Sequence, residues 1–230
     1  MTKEVIYDGF EKKSLSDIWS QKKIEPSAIE IQSKIVRKGK NALKITIHKG
    51  DCFQPAGVNS KDSERDELRE RKNLWPHEGE SHGYSFSIYI PKDFPIVPTR
   101  LVLAQWKQND EFDKASVNNP ILALRYVGGE LFITLQTTEK KNILFSTHKE
   151  IRGKWLDFVF HIKFIRTKSG FVRIWMNKKK IINYKGVTAY TERYNYPKPG
   201  RFYFKMGLYR DQMDRPMTAY FDEYHRRRMK

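Results

Sequence analysis

Apolar and polar side chains alternate with period two in one segment after another along this chain. A β-strand sends successive side chains to opposite faces, so the pattern dictates half-buried strands. Segments 42–48, 83–91, 101–108, 121–127, 131–137, 155–166, 171–177, 202–209 and 218–225 all read this way. Turn signals separate them: Lys38-Gly39-Lys40-Asn41, Gly128-Gly129, Lys168-Ser169-Gly170, Asn177-Lys178-Lys179-Lys180 and Pro197-Lys198-Pro199-Gly200. Segments 155–166 and 171–177 form a hairpin across Ser169-Gly170. Helical signal is thin, with a short helix predicted over 12–19 and Ser14 or Ser16 near its cap. Many regularly spaced antiparallel strands with few helices predict an all-β jelly-roll sandwich of two antiparallel sheets. A single domain over residues 1–230 is expected, because sandwiches commonly reach this length.

The chain carries 44 Lys and Arg against 27 Asp and Glu, a net charge of +17. A field of that sign attracts polyanions such as nucleic acid, anionic lipid or acidic polysaccharide. The single Cys52 excludes an intrachain disulfide framework. No apolar run approaches the roughly 18 residues that a membrane helix needs, so no membrane partner is expected. The N-terminal segment Met1-Thr2-Lys3-Glu4-Val5-Ile6-Tyr7-Asp8 has no apolar region of a signal peptide.

Three segments carry polar faces of unusual chemistry. In 202–209, Phe202, Phe204, Met206 and Leu208 form a core face, and Tyr203, Lys205, Gly207 and Tyr209 the other. Gly207 leaves a gap where a ligand could approach the backbone. In Glu64-Arg65-Asp66-Glu67-Leu68-Arg69-Glu70-Arg71, a helix would spread the charges around its barrel to be solvated. A strand would set Arg65, Glu67, Arg69 and Arg71 on one side, presenting planar donors to carboxylates. In 101–108, Gln105 and Lys107 share a face, while Trp106 points the other way with Val102 and Ala104. Brought together in one sheet, these faces would line a long, basic, aromatic groove open to a polymer.

These residues resemble the motifs of jelly-roll polysaccharide lyases. Arg65-Asp66-Glu67-Leu68-Arg69 is similar to the Arg-(Ser/Thr)-Glu-Leu-Arg strand of alginate lyases. Gln105-Trp106-Lys107 stands where those enzymes carry Gln-X-His, and Tyr203 to Gln212 resembles their Tyr-Phe-Lys-X-Gly-X-Tyr signature. Order and spacing look closest to the glucuronan lyase and heparin lyase I-like branch. Gly153-Lys154-Trp155, opening a long strand, and the Ile-Trp-Met-Asn run ending at Asn177 add to that likeness.

The resemblance implies β-elimination on an anionic uronic-acid polysaccharide such as glucuronan, alginate or a heparin-like polymer. That chemistry must neutralise the C5 carboxylate, take the C5 proton and protonate the leaving O4. By position, Tyr209 is the catalytic tyrosine, Gln105 and Arg65 contact the carboxylate, and Lys205 holds substrate or acts on Tyr209 through its charge. Tyr203, Arg69, Glu67 and Arg210 accompany them as substrate-binding residues. The family's histidine is replaced by Lys107. Free Lys and Tyr titrate near ~10.4 and ~10, so the base is Tyr209, an environment-shifted Lys107, or the imidazole of His82, and an alkaline optimum is expected for the first two. No cofactor is implied. Some relatives bind a structural calcium, but Asn109, Asp110 and Asp113 have no spacing that specifies a metal site. The resemblance also implies a secreted or periplasmic monomer.

Other function classes fit less well. A glycoside hydrolase needs paired carboxylates, and Glu67 is the one acid in the three faces. Nucleic-acid binding suits the charge, yet no zinc-finger, helix-turn-helix or RNP-like motif appears, and Lys178-Lys179-Lys180 and Arg226-Arg227-Arg228 read as a hairpin tip and a frayed tail. A non-catalytic, lectin-like jelly roll for acidic polysaccharides shares the fold and groove; the retained Tyr209, Lys205, Gln105 and Arg65 argue against it.

Overall fold

The computed structural model describes residues 5–20, 26–52, 63–110 and 115–229. Its strands begin with β1 (Val5–Asp8), β2 (Trp19–Ser20), β3 (Ile29–Gln32), β4 (Ala42–Ile47), β5 (Ser63–Glu70), β6 (Ser81–Tyr89), β7 (Leu101–Gln108) and β8 (Leu122–Val127). They continue with β9 (Glu130–Gln136), β10 (Lys141–Thr147), β11 (Trp155–Lys163), β12 (Phe171–Met176), β13 (Lys179–Lys185), β14 (Phe202–Asp211) and β15 (Met217–Arg228). One sheet runs β13-β12-β11-β6-β15-β4-β3, with β1 also paired to β15; the other runs β10-β9-β8-β7-β14-β5-β2. Neighbours such as β14 and β7, β14 and β5, and β11 and β6 pair antiparallel. The result is the all-β jelly-roll sandwich that the alternation dictates. Among the described residues no helix is long and apolar enough to cross a membrane.

The apolar face of each alternating strand turns inward, and the core lies between the sheets. Trp106 of β7 packs on Phe160 of β11 at 4.5 Å between ring centroids, and Tyr84 of β6 meets Trp106 edge-on at 5.4 Å. Phe86 and Phe204 close the same cluster at 5.5 Å. Aromatic pairs at these separations add to the gain from burying their area. Phe202, Phe204, Met206 and Leu208 are all buried, which leaves Tyr203, Lys205 and Tyr209 on the outer face of β14.

Several local expectations change. The helix predicted over 12–19 does not form. Instead Asp8 ties this segment to the sandwich, accepting hydrogen bonds from Phe10 N (2.8 Å) and Trp19 Nε1 (2.7 Å), and Trp19 is buried and opens β2. The charged run at 64–71 is β5 through Glu70, with Glu64, Asp66, Leu68 and Glu70 all on its buried face. Two of those inward acids are matched by inward cations: Glu64 by Arg210 (2.7 Å) and Glu70 by Arg226 (2.9 Å). Arg226-Arg227-Arg228 is therefore not a frayed tail but the end of β15, with Arg226 buried. The hairpin tip is Asn177-Lys178, at φ 49° and 67°, while Lys179 and Lys180 already belong to β13.

Gly207 has a steric reason to be glycine. Its φ is 145°, and a Cβ there would stand 2.7 Å from Glu67 Cα and run into the carbonyl of Asp66 on the neighbouring strand. Gly207→Ala is therefore expected to cost at least about 2 kcal/mol, read from urea unfolding, because backbone strain and a backbone clash add. Unchanged stability would sink this explanation.

Candidate active site

Strands β5, β14 and β7 lie side by side and place the three polar faces on one surface. Arg65 opposes Tyr209, Glu67 opposes Gly207 and Arg69 opposes Lys205 across β5 and β14. On the other flank Lys205 opposes Gln105 and Tyr203 opposes Lys107. A groove of about 600 Å³ runs over these rows. Its lining brings together Arg65, Glu67, Arg69, Gln105 and Lys107 with Tyr203, Lys205 and Tyr209. Among the described residues, seven cationic side chains line it against two carboxylates, Glu67 and Asp110.

Tyr209 lies between two guanidiniums. Arg65 Cζ is 4.3 Å from its ring centroid and Arg100 Cζ is 4.6 Å away. Among the described residues its hydroxyl has no hydrogen-bond partner, so the oxygen is free to meet a ligand. Glu67 is the organiser of the middle of the groove. It accepts a short hydrogen bond from Gln105 Nε2 and pairs with Lys205 Nζ at 3.3 Å. Burial pushes the Lys205 ammonium below its ordinary pKa; Glu67 opposes that shift, and Arg65 and Arg69 add to it.

Lys107 stands at the other end, opposite Tyr203, and donates to Asn118 Oδ1 at 2.6 Å. Burial lowers its pKa to about 8, helped by the positive charges of Lys205 and Arg65. Tyr203 packs on Trp75 at 4.7 Å, with Arg69 Cζ 5.8 Å from the Trp75 ring. Together they make an aromatic and cationic ledge along the groove.

Three residues named from sequence lie elsewhere. The side chain of Arg210 points inward, fully buried, and donates to Glu64 and to the carbonyls of Met213 and Arg215. It is the neighbour of Tyr209 on a strand, so alternation sends it to the opposite face. His82 sits on β6, in the opposite sheet, with Nε2 3.3 Å from Glu80. Burial and the nearby Arg226 lower its pKa to about 4, which leaves it a neutral structural histidine at pH 7. Arg71 follows β5 and pairs loosely with Asp17 at 3.7 Å.

Sequence reasoning missed Trp75, Arg100, Arg125 and Lys141, which all line the groove. It also placed Val102 on the core face. One extra residue, Leu103, separates the Val102–Arg125 and Ala104–Leu124 pairs, and this bulge turns Val102 to the groove. Asp110 accepts from Ala115 N at 2.7 Å, and Asp113 lies outside the described residues. Among the described residues no three His, Cys, Asp or Glu side chains cluster to hold a metal ion.

A basic, aromatic, open groove on the face of a jelly roll suits an extended polyanion. The chain belongs to the polysaccharide lyase family, whose sequence pattern it matches over residues 8–225, and it is a polysaccharide lyase. No curated protein sequence matches it. Solved structures that share its fold include two lyases and a cellulose-induced protein. Endo-β-1,4-glucuronan lyase from the fungus Trichoderma reesei is 19% identical, over 93% of this chain and 91% of that one, with a TM-score of 0.69. Alginate lyase AlgAT5, of polysaccharide lyase family 7, is 14% identical over 90% and 85%, with a TM-score of 0.62. The cellulose-induced protein Cip1 is 11% identical over 96% of each chain, with a TM-score of 0.61.

Proposed function

We propose that this enzyme cleaves a 4-linked uronic-acid polymer by β-elimination, with Tyr209 carrying the proton. The observation behind this is the placing of Tyr209 between Arg65 and Arg100 at the floor of the basic groove. A uronate carboxylate drawn to Arg65 sets its C5 beside the phenol. Charge that develops on the carboxylate as C5 loses its proton is met by that guanidinium. C5 and O4 belong to the same region of one sugar, so Tyr209 in its ionised form takes the C5 proton and, as the C4–O4 bond breaks, returns it to O4. Gln105 and Lys205, fixed by Glu67, hold the carboxylate side of the ring. His82, in the other sheet, takes no part.

Lys107 serves as an anchor rather than the base, because it opposes Tyr203, six residues along β14 from Tyr209. Its charge is present below pH 8 and lost above it, since burial lowers its pKa to about 8. KM for an anionic polymer is therefore expected to rise as pH passes 8, by up to about tenfold, the worth of one charge-assisted contact. In Lys107→Met, KM should be raised at pH 7 and lose this inflection. An inflection that survives the substitution would remove Lys107 from the groove's ion pairing.

The likeness to glucuronan lyase makes glucuronan the first polymer to test, with alginate and heparin beside it. Unsaturated uronate ends absorb at about 235 nm, so the absorbance reports elimination directly, whereas hydrolysis or mere binding leaves it flat. No absorbance gain on any uronan would overturn the reading. A polymeric substrate also suits an enzyme that works outside the cytoplasm, secreted or periplasmic. We propose that residues 1–230 act as one domain, whose two sheets share one core, and as a monomer.

A further inference from the structure

Among the described residues, the buried guanidiniums of Arg210, Arg226 and Arg166 have carboxylate partners and that of Arg125 has none. Arg210 pairs with Glu64 at 2.7 Å, Arg226 with Glu70 at 2.9 Å, and Arg166 with Glu78 at 2.7 Å. That is the ordinary arrangement, because an uncompensated charge away from water is costly. Arg125 is 5% exposed and breaks the rule. Its side-chain hydrogen bond goes to a neutral hydroxyl, Thr134 Oγ1 at 3.3 Å, and among the described residues no carboxylate pairs with it.

Arg125 is surrounded by more positive charge. Burial disfavours its cationic form, and Arg100 adds to that. Lys141 is likewise pushed down, by burial and then by Arg125 and Arg100. Arg100 pairs with Asp211 at 2.6 Å, but its buried Nε has no hydrogen-bond partner. All three side chains line the groove. Val102 opposes Tyr209 on one side and Arg125 on the other, so Arg125 stands two strands from Tyr209. Two strand spacings are about 10 Å, a gap that a neighbouring sugar residue can bridge.

We infer that Arg125, with Arg100 and Lys141 beside it, forms a second anion subsite that takes the carboxylate of a uronate residue adjoining the one cleaved at Tyr209. The inference rests on the lyase reading above and sharpens its substrate class. The enzyme selects a polymer with anions on successive residues, rather than one with isolated uronates among neutral sugars. The countercharge that Arg125 lacks among the described residues is supplied by the substrate. The free enzyme pays in stability for a charge that it neutralises only on binding.

The test is calorimetric titration with a glucuronan tetrasaccharide, a mannuronan tetrasaccharide and neutral cellotetraose, using the full chain with Tyr209→Phe so that the probes stay intact. Arg125→Met and Lys141→Met are each expected to weaken binding of a uronate tetrasaccharide about tenfold or more and to flatten its salt dependence. Cellotetraose binding should not move. Arg125→Met should also raise Tm by about 2 °C or more, because it removes an unpaired buried charge. A structural arginine would behave oppositely, so a lowered Tm overturns the subsite, as does uronate affinity unchanged in both variants. Cleavage by the unsubstituted enzyme, followed at about 235 nm, separates the two ideas. Product without any effect of the variants sinks the subsite alone. Weakened binding without product sinks the lyase reading and keeps the anion site. Failure of both uronate probes to bind sinks both.

Discussion

Tyr209→Phe is expected to lower turnover by roughly 10³-fold or more, because acid and base steps each contribute about 10²–10⁴ and one phenol supplies both. In barrier terms that is about 4 kcal/mol or more. The substitution removes one oxygen and keeps the ring that Arg65 and Arg100 contact at 4.3 and 4.6 Å. The hydroxyl makes no hydrogen bond among the described residues, so the fold loses little with it. KM should therefore change much less than kcat. Initial rates of absorbance gain across a range of polymer concentrations separate the two. Turnover within tenfold of the unsubstituted enzyme would show that another group moves the proton, and Lys107 would be the next residue to replace. A large loss in kcat with an unchanged melting temperature is the result that the groove geometry calls for. It also disposes of the lectin-like alternative, which has no kcat to lose.

The fold was legible because the apolar faces of strands such as 83–91 and 202–209 alternate with hardly an interruption, and period two leaves little choice of partner structure. The strands that escaped notice, β1, β2, β3, β10 and β13, are short or lie toward sheet edges, where one face meets water and the pattern weakens. The groove was partly legible for the same reason. Once β5, β14 and β7 are neighbours, Arg65, Gln105 and Lys205 must face one way with Tyr209. What stayed hidden depends on partners distant in sequence. Arg210 looks like a ligand-binding cation next to Tyr209, although alternation already assigned it to the core face. Nothing local says that a core position can hold arginine, because its partner Glu64 is 146 residues away. His82 was attractive for its imidazole, but the sheet that a strand joins is decided by long-range pairing. Arg125 shares its face of 121–127 with Ile121, Ala123 and Val127, so nothing local marks it as a groove residue; its place opposite Val102, the neighbour of Tyr209, comes with the bulge at Leu103.

Glu64→Ala is expected to destabilise the protein by about 3–5 kcal/mol, because it strands the Arg210 guanidinium in the core without a carboxylate. Both side chains are fully buried, and Glu64 Oε2 receives Arg210 Nε at 2.8 Å, while its other oxygen accepts from Gly50 N at 2.7 Å. At about 2–4 °C per kcal/mol for a chain of this size, the melting temperature should fall by roughly 10 °C. Pairing the change with Arg210→Met should recover part of the loss, since it removes the stranded charge while the space left by Glu64 stays unfilled. Recovery will stop short of complete. Gly50 N loses its acceptor, and the carbonyls of Met213 and Arg215 lose the guanidinium that holds their turn. The four proteins form a double-mutant cycle, and residues in direct contact should show a coupling of about 0.5–3 kcal/mol. The same cycle decides what Arg210 is for. A substrate contact would raise KM with the melting temperature unmoved. A core strut shifts the melting temperature and leaves KM alone when activity is read well below it. The inward direction of Arg210, away from Tyr209 on a strand of period two, requires the second outcome.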